Sequence, residues 1–181
     1  MQIAICGVGR VGQEISLMLV YRGYNIVLYD INEKLLRAEK IELEIAKNIF
    51  KSRSVITISN EPPNADIYVV SCGLPRNSVD EQHNFVYNLE AVKDAISNAD
   101  YDKPILLITN PTKKIKNVLD GMGYRNVIVI GDIMDKTRIR LYGSIKKPRR
   151  DVFEGKGFVS HGVTAEVINV IQNYLKKTHK R

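Results

Sequence analysis

Apolar and polar positions along the chain follow two rhythms. Six short runs, QIAIC (2–6), NIVLYD (25–30), SVITI (54–58), DIYVVSC (66–72), PILLIT (104–109) and NVIVIG (126–131), are rich in β-branched residues and bounded by turn formers. Each reads as a strand. The stretches between them carry a helical period, and strands alternating with helices predict a parallel sheet covered on both faces. The expectation is an α/β fold, doubly wound, with a mostly parallel six-stranded sheet and a short C-terminal helical extension.

The intervening helices can be bounded from their ends. VGQEISLMLVYRGY carries a helix that stops at Gly23, a residue suited to the left-handed position beyond a C-terminus. Asn32 caps a second helix that begins at Glu33 and runs to about Phe50. On a helical wheel its apolar residues, Leu35 through Phe50, spread over roughly 220°, far beyond the ~100° stripe that covers one sheet face. A second surface is expected there, either a homodimer contact through helix 33–50, the preferred reading, or a wider core contact within the monomer. Beyond Arg140 the alternation stops, and YGSIKKPRRDVFEGKG reads as a basic loop leading into a last amphipathic helix, VTAEVINVIQNYLKK. Residues 1–142 are therefore read as a nucleotide-binding unit and 143–181 as a loop plus helix.

Composition narrows the class without changing this picture. The 181 residues, 44% hydrophobic and 26% charged, form an ordinary globular mixture, sufficient for one core. No segment approaches 18 uninterrupted apolar residues, so no membrane span is expected, and the reading is a cytoplasmic protein. Cys6 and Cys72 each end an apolar run just before a glycine. They read as buried reduced thiols, with a redox pair as the alternative if their strands are neighbours. The net charge of +7 gathers around residues 113–116, 146–150 and 176–181. These clusters come without interleaved aromatics, zinc spacing or a helix-turn-helix pattern, so neither nucleic-acid binding nor a metal site is expected.

The sharpest local signal is CGVGRVG. Gly7, Gly9 and Gly12 form G-x-G-x-x-G between a strand and a helix, the context in which the motif has a mechanism. The three glycines permit a tight turn, close approach of the backbone to a pyrophosphate, and close packing of helix on strand. The unpaired N–H groups of the helix N-terminus then face the anion. Val8, Arg10 and Val11 complete the candidate cradle, although Arg10 itself reads as a solvated helix residue. Asp30 ends the second strand 18 residues beyond Gly12, where a carboxylate can hold both ribose hydroxyls of NAD and repel the extra phosphate of NADP. NAD is the expected cofactor, the fold is of Rossmann type, and Ile31 adjoins the ribose position.

Further segments resemble the lactate/malate dehydrogenase family in order and separation. GVGRVG resembles its nucleotide loop, IVLYDINEKLLRAEKIELEIA its second strand and helix, and ADIYVVSCGLPRN the strand and loop that approach the nicotinamide, bringing in Cys72 and Gly73. ITNPTKKI resembles the family's T-N-P turn, and IGDIMDKTRIR its L-D-x-x-R-x-R segment. The resemblance implies that Asn110 orients substrate and nicotinamide, that Arg138 grips a substrate carboxylate, and that Asp135 holds a catalytic histidine. It also matches Arg76 to the arginine that selects a second carboxylate in malate-type enzymes. Asp135 and Arg138, three apart on a presumed helix, are equally suited to an ordinary ion pair.

Two departures from the family bear on activity. Where a mobile loop should carry a polarising arginine, GLPRNSVDEQHNFVYN is one residue short and offers Glu81, Gln82 and His83. The only histidine in a suggestive place is His161, and its surroundings, KGFVSHG and the helix after it, resemble a later family segment, K-G-[FY]-T-S, rather than the one with the catalytic histidine. His161 then reads as an incidental loop residue, and His179 as part of a solvated tail. The function expected is an NAD(H)-binding, non-catalytic relative of these dehydrogenases. The alternative is an active malate-type oxidoreductase on a small 2-hydroxy or 2-oxo acid, with His161 as proton carrier beside Asp135.

Overall fold

The computed structural model describes residues 1–74, 80–156 and 160–178. In the described residues the chain runs β1 (Gln2–Cys6), α1 (Arg10–Tyr21), β2 (Asn25–Tyr29), α2 (Glu33–Phe50), β3 (Ile56–Ser59), β4 (Ile67–Val70), α3 (Glu81–Ala95), β5 (Ile105–Leu107), α4 (Thr112–Gly121), β6 (Val127–Val129), α5 (Ile130–Tyr142), α6 (Lys146–Lys156) and α7 (His161–Thr178). The strands form one sheet in the order β3-β2-β1-β4-β5-β6, and every neighbouring pair is parallel. Strand order reverses between β1 and β4, and in open α/β sheets ligands bind at the carboxyl edge beside such a switch point.

The two-residue period of the strands divides the core into two layers. Ile3 and Ile5 of β1, Ile26 and Leu28 of β2, and Ile67 and Val69 of β4 face the side covered by α1, α2 and α7. Ala4, Cys6, Val27, Tyr29, Tyr68 and Val70 face the opposite side, where Val92 and Ala95 of α3 and Ile115 and Leu119 of α4 cover them. Strands buried on both faces cannot alternate apolar with polar, which explains the continuous apolar runs.

Asn32 caps α2 as expected, its side-chain oxygen accepting the Leu35 N–H at 3.1 Å. That helix fully buries only Leu36, Glu39 and Leu43, so much of its apolar arc lies outside the core of this chain. One expectation is corrected: the segment read as a basic loop contains α6. Pro148 stands in its first turn, where a missing N–H costs nothing, and Arg150 lies 3.9 Å from Glu154 one turn on. Without a continuous apolar stripe, the charged segment gave no helical period to read. α7 starts at His161, two residues earlier than its apolar pattern suggested, and seals the first core layer with Val163, Val167, Ile168 and Ile171.

Candidate functional site

The carboxyl ends of β1, β2, β4 and β5 bring the expected cofactor residues to one edge of the sheet. β1 passes into α1 through Gly7, whose φ of +92° lies in the left-handed region and whose absent Cβ would sit 2.4 Å from the Cys72 nitrogen. Only glycine fits there. A Cβ on Gly12 would lie 2.0 Å from the Gly7 carbonyl oxygen, whereas one on Gly9 would meet nothing within 4 Å. Two glycines therefore close the loop against the protein, and the third opens toward space. α1 starts at Arg10, after Gly9 at the N-cap position, with no side-chain cap and no acid in its first turn. Its leading N–H groups have no intrahelical acceptor and its dipole is uncompensated at that end, the arrangement that holds a pyrophosphate.

Asp30 lies across from this loop. Its Oδ2 accepts the Val8 N–H at 2.7 Å and its Oδ1 accepts the Asn32 N–H at 2.9 Å. Hydrogen bonds to a charged acceptor contribute about 1.5–3 kcal/mol each, so the carboxylate fixes the loop as well as its own direction. Each oxygen retains a lone pair, enough to accept from a ribose diol. Ile31 beside it is exposed. The residues present thus fit an adenine dinucleotide: a cradle open only at Gly9, and one acid beyond it.

The other wall is built from the segments after β4 and β5. Ser71 Oγ donates to the Gly7 carbonyl at 2.9 Å, and Thr109 Oγ1 donates to the Cys72 carbonyl at 2.7 Å. Gly73 has φ +126°, and Asn110 stands exposed at the turn into α4. Cys6, at the end of β1, and Cys72, just beyond the neighbouring β4, are free thiols, with Sγ atoms turned to the carbonyls of Ala95 and Ala91. Burial raises the Cys6 thiol well above its usual range and pushes Cys72 up to about 12. Thiolate is scarce at both, which disfavours thiol chemistry. Among the described residues no group of three His, Cys, Asp or Glu side chains is arranged to hold a metal.

The residues expected to act on a substrate are dispersed. Asp135 Oδ1 accepts Arg138 at 2.6 Å, and its Oδ2 lies 3.3 Å from Arg149 of α6. Both carboxylate oxygens are thus committed to arginines. The contact of Asp135 with His161 that the alternative, catalytic reading required is not found among the described residues: the His161 Nδ1 faces Glu14 of α1, because α7 packs along α1. Glu14 is partly buried, which opposes its charge, yet the Ser160 hydroxyl, His161 and Thr164 around it together hold the carboxyl below the ordinary glutamate range. The His161 ring is 77% exposed. Asp80 caps α3, accepting the Gln82 and His83 N–H groups, and the exposed His83 ring contacts the same carboxylate, while Glu81 pairs with Lys114 of α4 at 2.7 Å, so these loop-end residues are engaged at the start of α3. Arg76 and His179 lie outside the described residues.

Sequence reasoning passed over three residues of this region: Glu14, Arg149 and Asn88. Glu14 becomes visible only when α7 meets α1, and Arg149 only when α6 folds back beside α5. Asn88 did leave a signal, because Asn84, Asn88, Val92 and Ala95 form one buried stripe of α3, with amides at two positions where the period calls for apolar groups.

Comparison with known proteins settles what this geometry belongs to. Residues 1–130 match the family model for the lactate/malate dehydrogenase NAD-binding domain. The chain belongs to that family. NAD is the cofactor for which its domain is built. Malate dehydrogenase of Sulfurisphaera tokodaii is 28% identical over 180 residues, covering 92% of this chain and 58% of the relative. L-lactate dehydrogenase A of Rhizopus oryzae is 26% identical, covering 78% and 47%. This family member thus spans somewhat more than half the length of the malate dehydrogenase relative. Among solved structures, malate dehydrogenase from Archaeoglobus fulgidus in complex with NADH superimposes with a TM-score of 0.80 at 16% identity, over 97% of this chain and 78% of that one. That similarity extends the shared fold through α7. No helix among the described residues is long and apolar enough to cross a membrane.

Proposed function

We propose that this member of the family is an NAD(H)-binding protein that does not catalyse hydride transfer. The observation that carries the reading is the contrast between two ends of the same region. The cradle of Gly7, Gly9 and Gly12 with Asp30 has the geometry of a dinucleotide site, whereas the histidine nearest a catalytic role, His161, is oriented by Glu14 and not by Asp135. Bound NAD would supply a hydride-accepting ring; the chain's own part is to hold the pyrophosphate at the α1 amides and the adenosine ribose at Asp30. Free Cys6 and Cys72 suit a reducing compartment, consistent with the cytoplasm.

Binding is tested by thermal unfolding. NADH at 100 times its Kd should stabilise the fold by about 2.7 kcal/mol, and at about 2–4 °C per kcal/mol for a chain of this size the midpoint rises by roughly 5–11 °C. Asp30→Ala should diminish the rise. A midpoint indifferent to every adenine nucleotide would refute the reading. Absence of catalysis is tested with NADH and a broad set of 2-oxo acids. Turnover would favour the second reading, an oxidoreductase anchoring its substrate carboxylate at Arg138, which Asp135 holds at 13% exposure with Arg149 beside it. Turnover that His161→Ala abolishes would establish that reading.

The partner supported for α2 is a second copy of the chain. Ile41, Ile45 and Ile49 are 62%, 53% and 73% exposed. Ile41 and Ile45 line, with Ile58, a groove of about 580 Å³ bordered by Arg37, Lys40 and Glu44. Cations near one end of the groove and an acid toward the other make the surface self-complementary about a two-fold axis, as a symmetric dimer requires. Tyr21 and Phe50, in edge contact at 5.0 Å, extend the apolar area.

A further inference from the structure

α5 and α6 bury little of themselves. Ile130 is the one buried residue of α5, and no described side chain of α6 is buried. The last turn of α5 stands clear of the core: Ile139, Arg140, Leu141 and Tyr142 follow one another at about 100° intervals round the helix, and all four are exposed. Leu141 and Tyr142 are 63% and 67% exposed, and Val152 of α6 is exposed as well. Large apolar side chains gathered in the open mark a contact surface. The charge around them is of one sign, for residues 136–150 hold seven cations and no acid. Arg138 and Arg149 are committed to Asp135, and Arg150 lies 3.9 Å from Asp151 and Glu154. Lys136, Arg140, Lys146 and Lys147 are exposed and pair with no carboxylate among the described residues.

We propose that the α5–α6 pair docks an acidic segment of another protein that carries apolar side chains between its carboxylates. Three other occupants fit less well. A second copy of this chain would bring its own cations against these four. A nucleic-acid backbone would satisfy the cations but leave Ile139, Leu141 and Tyr142 facing phosphate and sugar. A lipid surface is entered by a helix with a long apolar face, and Val152 is the only exposed large apolar side chain among the described residues of α6. An acidic protein segment answers both halves of the surface: its apolar side chains cover the end of α5, and its carboxylates meet the free cations. Tyrosine and arginine, as at Tyr142 and Arg140, are also the residues that interface centres favour. None of these residues belongs to the glycine cradle, so the surface is independent of the dinucleotide reading.

The test selects a display library of random peptides on the full chain. The strongest binder is then measured by fluorescence anisotropy against the wild type, the double variant Leu141→Ser, Tyr142→Ser, and the double variant Lys146→Glu, Lys147→Glu. The replaced side chains are exposed, so both variants should melt with the wild type. The selected sequences should join Asp and Glu to aliphatic or aromatic residues, and each double variant should weaken binding at least about tenfold. A short DNA duplex and phosphatidylserine vesicles, measured beside the peptide, should bind more weakly and without regard to Leu141 and Tyr142. No selected peptide, a binder without acids, or wild-type affinity in either variant would overturn the assignment. Tighter binding of the duplex or the vesicles would overturn it too, as would self-association of the chain that the Leu141→Ser, Tyr142→Ser variant abolishes.

Discussion

Replacing Gly12 and Gly9 by alanine one at a time separates packing from ligand space. A Cβ on Gly12 would stand 2.0 Å from the Gly7 carbonyl oxygen. An ordinary carbon–oxygen contact is about 3.3 Å, so the loop must retreat by roughly 1.3 Å. Overpacking of this kind costs about 1–3 kcal/mol, and the same retreat strains the 2.9 Å bond from Ser71 Oγ to that carbonyl, about 1 kcal/mol more. A loss of roughly 2–4 kcal/mol lowers the midpoint of a chain this size by roughly 4–16 °C. Gly9 is the opposite case. It caps α1 in an extended conformation open to alanine, and its Cβ would meet nothing. The poorer cap costs about 0.5–1 kcal/mol, a fall of roughly 1–4 °C. Yet its methyl would occupy the approach to the α1 amides, and NADH affinity should fall more than tenfold. Scanning calorimetry with NADH titration reads both quantities. A Gly9→Ala protein that melts far below the Gly12→Ala protein, or that binds NADH like the wild type, would refute the reasoning.

The acid limb of stability provides a second check. The Glu14 and Asp66 carboxyls sit below their ordinary values in the folded chain, so each favours folding above its unfolded pKa and loses that contribution as pH falls through the folded value. Urea melts should show stability declining once pH drops below about 4.5, and Glu14→Gln should make the decline shallower. An identical slope in the variant would remove Glu14 from the account. For the α2 surface, Ile45→Glu combined with Ile49→Glu should convert a dimer to a monomer in sedimentation equilibrium with little change in the circular dichroism spectrum. A wild-type chain that is monomeric at tens of micromolar would disprove the contact.

What the sequence made legible depended on how far apart the cooperating residues lie. The strands were readable because burial on both faces demands uninterrupted β-branched runs, and the Asn32 cap because it acts within its own turn. The cradle was readable for the same reason: Gly7, Gly9 and Gly12 work within one loop, and Asp30 ends the neighbouring strand. α6 was missed because its Lys146, Lys147, Arg149 and Arg150 present no apolar period. The His161–Glu14 contact spans 147 positions and the Asn88–Asn110 bond 22, and no local pattern marks which partner a side chain will meet. The width of the α2 apolar arc was visible, and Ile41, Ile45 and Ile49 on it stay exposed in this chain.

The central place of β1 governs how the crevice breathes. Its residues from Ile3 to Cys6 have no solvent exposure, and it is paired with β2 on one side and β4 on the other. Its amides should exchange deuterium only through global unfolding, whereas the rim strands β3 and β6 exchange through cheaper local openings. The phosphate loop therefore hangs from the most persistent element of the molecule. Slow fluctuations that admit or release a nucleotide have to originate in the flanking turns, with the glycine loop as their stationary pivot.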